Sequence, residues 1–249
     1  MNRIFKYCVF AYLLFMSCLD SRGQDARKIL DEYLLSASSG NLGNWDTIKS
    51  AYVESKGFYK TENNAFNQAN TTYTRVYRVW PDKLRTEIYE DSTFTKLLMY
   101  SLWLGKEQKL IHWFANSQPS IVHIEEVRWD FDPVVINQLK NKATSIKYLG
   151  EYKVAAEDLT CYVVQIKTKN ETLNLGFNKT TGQLEFGSPT DYENNMARYM
   201  DYTRINGLSF YLTSTAFRNG SIMSYYHITR IEFNRKFDEK LFDDPTTTR

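Results

Sequence analysis

The amino-acid sequence predicts an α+β fold that consists mainly of one antiparallel β-sheet. Short runs rich in β-branched and aromatic residues recur along the chain, and turn residues separate them. Three hairpin-turn signals stand in the second half, at Lys179–Gly182, Asn206-Gly207 and Asn219-Gly220. Helical spacing of apolar residues occurs in only two longer stretches. The 249 residues include 43% apolar and 24% charged residues, so the chain can bury a large core.

The first 23 residues have the pattern of an export signal. A basic start with Arg3 and Lys6 precedes an apolar run of about ten residues, which is too short to cross a ~30 Å hydrocarbon layer as a helix. Two processing routes remain open. A signal peptidase would cut after Gly23, or Cys18 would be lipidated, because Phe15–Cys18 loosely resembles a lipobox. An anchor that is never cleaved is the third alternative.

Removal of the signal changes the charge and the cysteine count. Residues 24–249 contain 28 basic and 28 acidic residues, so binding to a nucleic-acid backbone is not expected. Cys161 is the only cysteine left, and its setting in LTCYVVQIK predicts a buried strand position.

The first predicted element of the mature chain is a helix that begins near Asp25 and ends at Ser38-Ser39-Gly40. A short helical turn follows, with Asn44 as the expected N-cap before Trp45. The apolar stripe of the first helix consists of Ile29, Leu30, Tyr33 and Leu34, together with Ala37.

Strands follow from Ala51 onward. Pro81-Asp82 marks a tight turn, and Leu97–Leu104 is almost entirely apolar, so this strand should be covered on both faces. The predicted strands of the first half cover 51–60, 71–80, 83–91, 94–105 and 109–114.

The second half repeats this pattern after a helix that starts at Pro133, where proline suits the first turn. A closing helical turn is expected at Asp238–Phe242. With roughly ten strands in total, residues 24–249 are predicted to form a single domain. The predicted strands of the second half lie in 144–154, 159–169, 171–186 and 197–234.

A curved antiparallel sheet with few helices either fills its concave face with side chains or leaves a cavity there. Aromatic residues would make such a cavity apolar, and Trp80 and Trp129 belong to this set. The candidate lining residues are Tyr73, Tyr77, Leu84, Leu98, Tyr100, Leu102, Trp103, Trp113, Tyr162, Val164, Leu173 and Phe210.

Catalytic and metal-binding patterns are weak. The three histidines lie far apart and form no metal-ligand spacing, and no nucleophile motif or phosphate-binding loop occurs. Acid pairs such as Asp130 and Asp132 are most often solvated surface residues. We therefore expect no catalytic residue, no cofactor and no metal.

Four stretches together resemble one known family. They are ILDEYLLSASSGNLGNWDTIKSAYVESKGFY, the segment from Pro81 to Glu87, the YLGEYKVAAEDLTCYVVQIKTKNETLNLGFNKTTGQL hairpin, and the closing ITRIEFNRKFDEKLFDDP. They are similar to the LolA-like lipoprotein-sorting proteins of Gram-negative envelopes. The sequence departs from that pattern at Gly40, which a second glycine usually follows, and at Ala155-Ala156-Glu157, where the turn is usually centred on glycine.

The resemblance implies a LolA/LolB-like fold, in which a half-open curved β-barrel has helices covering its concave face. It also implies an apolar cavity that shelters acyl chains, with the stripe from Ile29 to Leu34 as part of a lid. The expected function is an exported envelope protein that binds a lipid or a lipidated protein, in a sorting or carrier role. Its expected partners are an acyl chain or lipoprotein and inner- or outer-membrane lipoprotein-sorting proteins.

The expected location is the periplasm, or the membrane if Cys18 carries a lipid. Two other functions remain open. One is a non-catalytic module for envelope assembly or interaction, and the other is an envelope hydrolase with an acid pair such as Asp130 and Asp132.

Overall fold

The computed structural model describes residues 26–59, 71–115, 117–123, 133–154, 158–189 and 191–246. The predicted signal at 1–23, with Cys18, lies outside the described residues, and so do Trp129, Asp130 and Asp132. Within the described part, no helix is both long enough and apolar enough to cross a membrane.

Thirteen described strands form one open, curved antiparallel sheet, which confirms the predicted fold class. Three more strands are present than the roughly ten expected, because the long second-half runs divide at their turns and β6 was not predicted. The strands are β1 Ser50–Tyr59, β2 Thr71–Val79, β3 Lys83–Tyr89, β4 Leu97–Leu104, β5 Lys109–Phe114, β6 Ser120–His123, β7 Ser145–Val154, β8 Leu159–Lys167, β9 Thr172–Asn178, β10 Leu184–Ser188, β11 Asn195–Ile205, β12 Leu208–Arg218 and β13 Ser221–Phe233.

The order of strands places the two ends of the chain side by side in the middle of the sheet. The order is β6-β5-β4-β3-β2-β1-β13-β12-β11-β10-β9-β8-β7, and β1 pairs with β13. β6 and β7 therefore form opposite edges, although they follow one another in sequence. Tight turns join many neighbours, and both predicted Asn-Gly turns are present, with Asn206 and Asn219 at positive φ.

Three described helices accompany the sheet: α1 at 26–37, α2 at Gly43–Asp46 and α3 at Pro133–Lys142. α1 ends as predicted at Gly40, which has φ +84° and donates its backbone N–H to the Leu35 carbonyl at 2.8 Å. The prediction for Asn44 was wrong: it lies inside α2, and its side chain donates to the Ser38 carbonyl instead of capping.

The largest core cluster lies between the helices and the strands of the second half. Leu30 and Leu34 of α1 and Ile136 of α3 are fully buried against Leu175 of β9 and Tyr199 of β11. Residues directly opposite each other in an antiparallel pair share one face of the sheet. The register from β8 to β13 shows that this core occupies a single face, which we call the inner face.

The other face, which we call the outer face, has its own cover. After β13 the chain turns back, and the segment 234–246 lies over β2–β5. Phe242 is buried there with Leu102 and Ile111, and the ring of Phe237 lies 5.6 Å from that of Tyr77. The predicted closing turn is present as a 3-10 turn at Glu239–Phe242.

Only the second half of strand β4 is covered on both faces. Ser101–Leu104 are buried, as the apolar sequence predicts, whereas Leu98 is 39% exposed. Cys161 is fully buried in a smaller outer-face cluster with Val163 and Phe186, which confirms its prediction as a core residue.

Candidate ligand-binding cavity

A cavity of about 210 Å³ opens on the inner face, beside the core under the helices. Five strands and one helix contribute its wall, and most of the contributing side chains are apolar. The lining residues are Ala51, Val53 and Ser55 of β1, Thr74, Val76 and Arg78 of β2, Trp80 of the turn after β2, Thr86 and Ile88 of β3, Val134 of α3, Phe210, Tyr211 and Ser214 of β12, and Tyr226, Ile228, Ile231 and Phe233 of β13.

The strand register explains why these residues meet. Val53 lies opposite Val76 on one side and Ile231 on the other, and Val76 lies opposite Thr86. Alternate residues of β1, β2 and β3 therefore face the cavity. A bulge opposite Glu54 shifts the register of β13, so that Ile228 and Ile231 both reach the wall although they are three residues apart.

The wall has aromatic and apolar side chains together with Arg78 at one end, where Arg78 lies opposite Ala51, and more hydroxyl-bearing side chains towards the other end. Near α3, the rings of Phe210 and Phe233 lie 4.7 Å apart, and Val134 closes the same region. Several residues further along the strands, hydroxyl-bearing side chains replace the apolar ones. They are Ser55, Thr74, Thr86, Ser214 and Tyr226.

Three polar atoms on the wall are buried without a hydrogen-bond partner: the hydroxyls of Thr74 and Thr86 and the indole nitrogen of Trp80. The next hydroxyl beyond the wall behaves differently. Ser101 lies directly opposite Thr86 on β4, and its Oγ lies 2.8 Å from Nδ1 of His112. The Thr86 hydroxyl on the wall thus lacks a partner that the neighbouring Ser101 hydroxyl has, and the Thr72 hydroxyl, two residues before Thr74, is buried without a partner as well.

Charge is sparse around the cavity. Arg78 is the single charged side chain among the described lining residues, and its guanidinium lies 4.7 Å from the ring of Trp80. A wall with one cation and many branched or aromatic side chains suits a ligand that is largely apolar.

Two phenols with shifted pKa values lie on the outer face. Burial, and then a hydrogen bond to Glu87, raise the pKa of Tyr89. Burial, and then a hydrogen bond to Glu54, raise the pKa of Tyr52. These phenols stay neutral at physiological pH and belong to a network of tyrosines, Arg75 and glutamates that lies away from the cavity.

The predicted lining residues divide between the two faces. Phe210 lines the cavity. Leu84 and Trp103 lie on the inner face in a small cluster beside it, and Tyr162, Val164 and Leu173 lie on the inner face of β8 and β9. Tyr73, Tyr77, Tyr100, Leu102 and Trp113 lie on the outer face, and Leu98 is largely solvent-exposed.

The predicted lid residues pack over the other half of the inner face. Leu30 and Leu34 are fully buried, Ile29 packs against the same cluster, and the ring of Tyr33 lies 5.0 Å from that of Phe177. None of the four lines the cavity, and the helical residue on its wall is Val134 of α3.

Most of the wall does not match the predicted set, because the aromatic residues of several strands face away from the cavity and branched residues face it. In β2 the tyrosines occupy odd positions, whereas Thr74 and Val76 occupy the even positions that face the cavity. Alternation separates the two faces of a strand but leaves undetermined which one is inner. Ile228 and Ile231 do not follow the two-residue alternation of a regular strand, because the bulge lies between them.

No metal site is formed by the described residues, where no group of three or more His, Cys, Asp or Glu side chains comes together. Two of the three described histidines take part in ordinary hydrogen bonds on the sheet: His112 with Ser101, and His227 with Thr213, whose hydroxyl also donates to Asp201.

Comparison with known proteins identifies the architecture. No family model and no curated protein sequence matches the chain. Among solved structures, a LolA superfamily protein from Nitrosomonas europaea matches with a TM-score of 0.58 at 13% identity, over 89% of this chain and 98% of that chain. The chain has a LolA-like fold.

Two further structures agree with this result. A DUF1329 family protein from Desulfovibrio piger gives a TM-score of 0.58 at 12% identity, over 90% of this chain and 98% of the other. A domain from Vibrio parahaemolyticus, assigned to outer membrane lipoprotein sorting, gives 0.56 at 10% identity, over 88% and 97%. At such identities the LolA-like fold is shared, while ligand and partner have to be argued from this chain's own cavity.

Proposed function

We propose that this protein is an exported envelope protein that binds a lipid or a lipidated protein in its inner-face cavity, in a carrier-like role. The observation that carries the proposal is the cavity itself: an apolar wall remains open beside a helix-covered core. We assign no reaction and no cofactor to it.

The physical reason is the cost of exposing an acyl chain to water. Each buried methylene contributes about 0.8 kcal/mol, so an aqueous compartment favours any protein that covers the chain. At about 210 Å³ the cavity exceeds the ~150 Å³ apolar cavity that is known to hold a benzene ring. A section of one acyl chain is therefore a suitable occupant.

The LolA-like fold supports the proposal, because one structural neighbour is assigned to outer membrane lipoprotein sorting. By analogy, the partners of this chain would be an acyl chain or lipoprotein and sorting proteins of the inner or outer membrane. The open cavity favours this carrier role over an envelope assembly module, for which a filled interior would be expected.

The proposed location is the periplasm, since the first 23 residues have the pattern of an export signal. A lipid on Cys18 would instead tether the protein to a membrane. Mass measurement of the mature N-terminus distinguishes the two routes: cleavage after Gly23 gives an unmodified terminus, and lipidation leaves Cys18 with added acyl mass.

Native mass spectrometry of the protein purified from its own envelope tests the function. We expect acyl species to co-purify, and protein that carries none and binds no added acyl probe would contradict the proposal.

A cavity-filling variant sharpens this test. Val53→Phe places a ring into the cavity from β1 and is expected to weaken binding of a fluorescent acyl probe at least tenfold. The matched control is Lys56→Phe, which adds the same ring at an exposed outer-face position of the same strand and should leave binding unchanged. Equal loss in both variants would show that the probe binds elsewhere.

A further inference from the structure

The two unpartnered threonines on the cavity wall lie next to each other. Thr74 pairs with Ile88, and Thr86 stands two residues before Ile88 on the same strand. They are therefore diagonal neighbours on the inner face, with Cβ atoms about 7 Å apart or less. At that spacing, both hydroxyls can reach one acceptor atom between them.

Both threonines are deeply buried. Thr74 is 7% exposed and Thr86 is 6% exposed, and neither hydroxyl has a hydrogen-bond partner among the residues that the structure describes. A buried hydroxyl without a partner is costly, and proteins normally satisfy such groups. Two of them at adjacent positions of a ligand-sized apolar cavity indicate that a ligand supplies the missing partner.

The surrounding wall indicates the chemistry of the rest of the ligand. Val76 lies directly opposite Thr86 and two residues after Thr74, in one row with Ile231, and the wall continues from this row to Phe233. The indole nitrogen of Trp80 is also unpartnered, but it stands six residues from Thr74, or about 20 Å along an extended strand, and is too distant to share the same acceptor.

We propose that Thr74 and Thr86 donate hydrogen bonds to the carbonyl oxygen of an acyl group, whose hydrocarbon chain lies against the apolar wall towards Phe233. The inference rests on the proposed function and specifies its ligand as an ester or amide of a fatty acid, in preference to a pure hydrocarbon or an ether-linked chain. The shared chemistry is the acyl carbonyl, whether it comes from a lipid ester or from the amide of a lipidated protein.

The test compares three probes with the same chain length: palmitoylglycerol, an N-palmitoyl peptide, and hexadecylglycerol, which has an ether in place of the ester carbonyl. We expect the full-length protein to bind at least one of the two carbonyl probes about three- to tenfold tighter than the ether, as one or two net hydrogen bonds would give. Whichever carbonyl probe binds tighter identifies the source of the acyl group.

The double variant Thr74→Val/Thr86→Val keeps the shape of both side chains and removes both hydroxyls. It should bind the ether as the unmodified chain does and lose the preference for the carbonyl probe. Thr215→Val is the matched control, because Thr215 is buried on the outer face and should leave the preference unchanged.

The outcomes separate the two proposals. Equal affinity for ester, amide and ether in the unmodified chain, as a water bridging both hydroxyls would give, overturns the carbonyl inference and leaves the carrier role standing. A preference for the carbonyl probe that survives in the double variant also overturns the carbonyl inference.

Failure of all three probes to bind contradicts the proposed function, and the carbonyl inference falls with it. The comparison in the unmodified chain needs no variant, so the test stands even if the double variant fails to fold.

Discussion

The inner face of the sheet has two regions, one that is covered by helices and one that borders the cavity. Over β8–β11 the face is filled: α1 and α3 cover it, and Leu34, Val164, Leu173 and Leu175 are at most 2% exposed. Over β1–β3 and β13 the same face carries similar branched side chains but borders the cavity. The difference lies in the helices, because both regions belong to one hydrogen-bonded sheet.

This comparison shows that the apolar character of a strand face does not by itself distinguish a core from a binding site. In the filled region, side chains of α1 and α3 pack with those of the strands in one buried cluster. In the open region, Val134 at one end of α3 is the one described helical residue on the cavity wall, and Trp45 of α2 packs against Phe210 without lining the cavity. Packing should therefore contribute stability in the first region and binding capacity in the second.

The largest expected effect is in the filled region. Leu34→Ala removes a fully buried side chain from the interface between α1 and the sheet, and should lower the free energy of unfolding by about 2–5 kcal/mol. Urea unfolding followed by tryptophan fluorescence measures this loss. A loss below about 1 kcal/mol would mean that α1 covers the sheet loosely and that the two regions are less different than described.

An intermediate effect concerns the segment 234–246, which supports the open region from the outer face. Asp244 forms an ion pair with Lys109 of β5. Burial acts to raise the pKa of Asp244, but the hydrogen bonds from Lys109 and Thr246 outweigh it, and the net pKa lies below the ordinary value. Because the folded-state pKa is lowered, this stabilisation is present above about pH 4 and is lost as the pH falls further.

Hydrogen exchange can locate this acid sensitivity. Between pH 7 and pH 3, after correction for the intrinsic exchange rate, we expect protection in β5 and in 234–246 to fall more than protection in β9. Asp244→Asn should weaken the same segment by about 1–3 kcal/mol already at pH 7 and reduce its pH dependence. A uniform loss of protection in both regions would contradict the assignment.

The smallest effect compares one methyl group in each region. Ile166→Val in the filled region should cost about 1 kcal/mol, since Ile166 is fully buried in the core under the helices. Ile231→Val on the cavity wall should cost about 0.5 kcal/mol or less, because that side chain already borders open space. Equal costs in thermal or urea unfolding would show that Ile231 is packed as tightly as a core residue.

Much of the fold could be predicted from the sequence, because local chemistry determines it. The Asn-Gly turns, the proline at the start of α3, the stripe of α1 and the alternating strands all match their positions in the structure. β6 was missed because four exposed residues at a sheet edge give no burial pattern.

The cavity wall could be predicted only in part, because it depends on long-range packing. β2 has two usable faces, one with tyrosines and one with threonine and valine, and the sequence ranks the tyrosine face as more apolar and aromatic. The structure places the tyrosine face under Phe237 and Phe242, which lie 160 and 165 residues after Tyr77 in the chain. Only that distant contact reveals which face is outer.

Photo-crosslinking with a diazirine-bearing palmitoyl probe tests the central claim most directly, since it reports where in the protein an acyl chain lies. We predict adducts on β1, β2 and β13, at residues of the wall such as Val53, Val76 and Ile231, and their loss in Val53→Phe. Adducts confined to the outer-face strands under 234–246, or the absence of any adduct at concentrations where the probe is soluble, would contradict the assignment of the open region as the binding site.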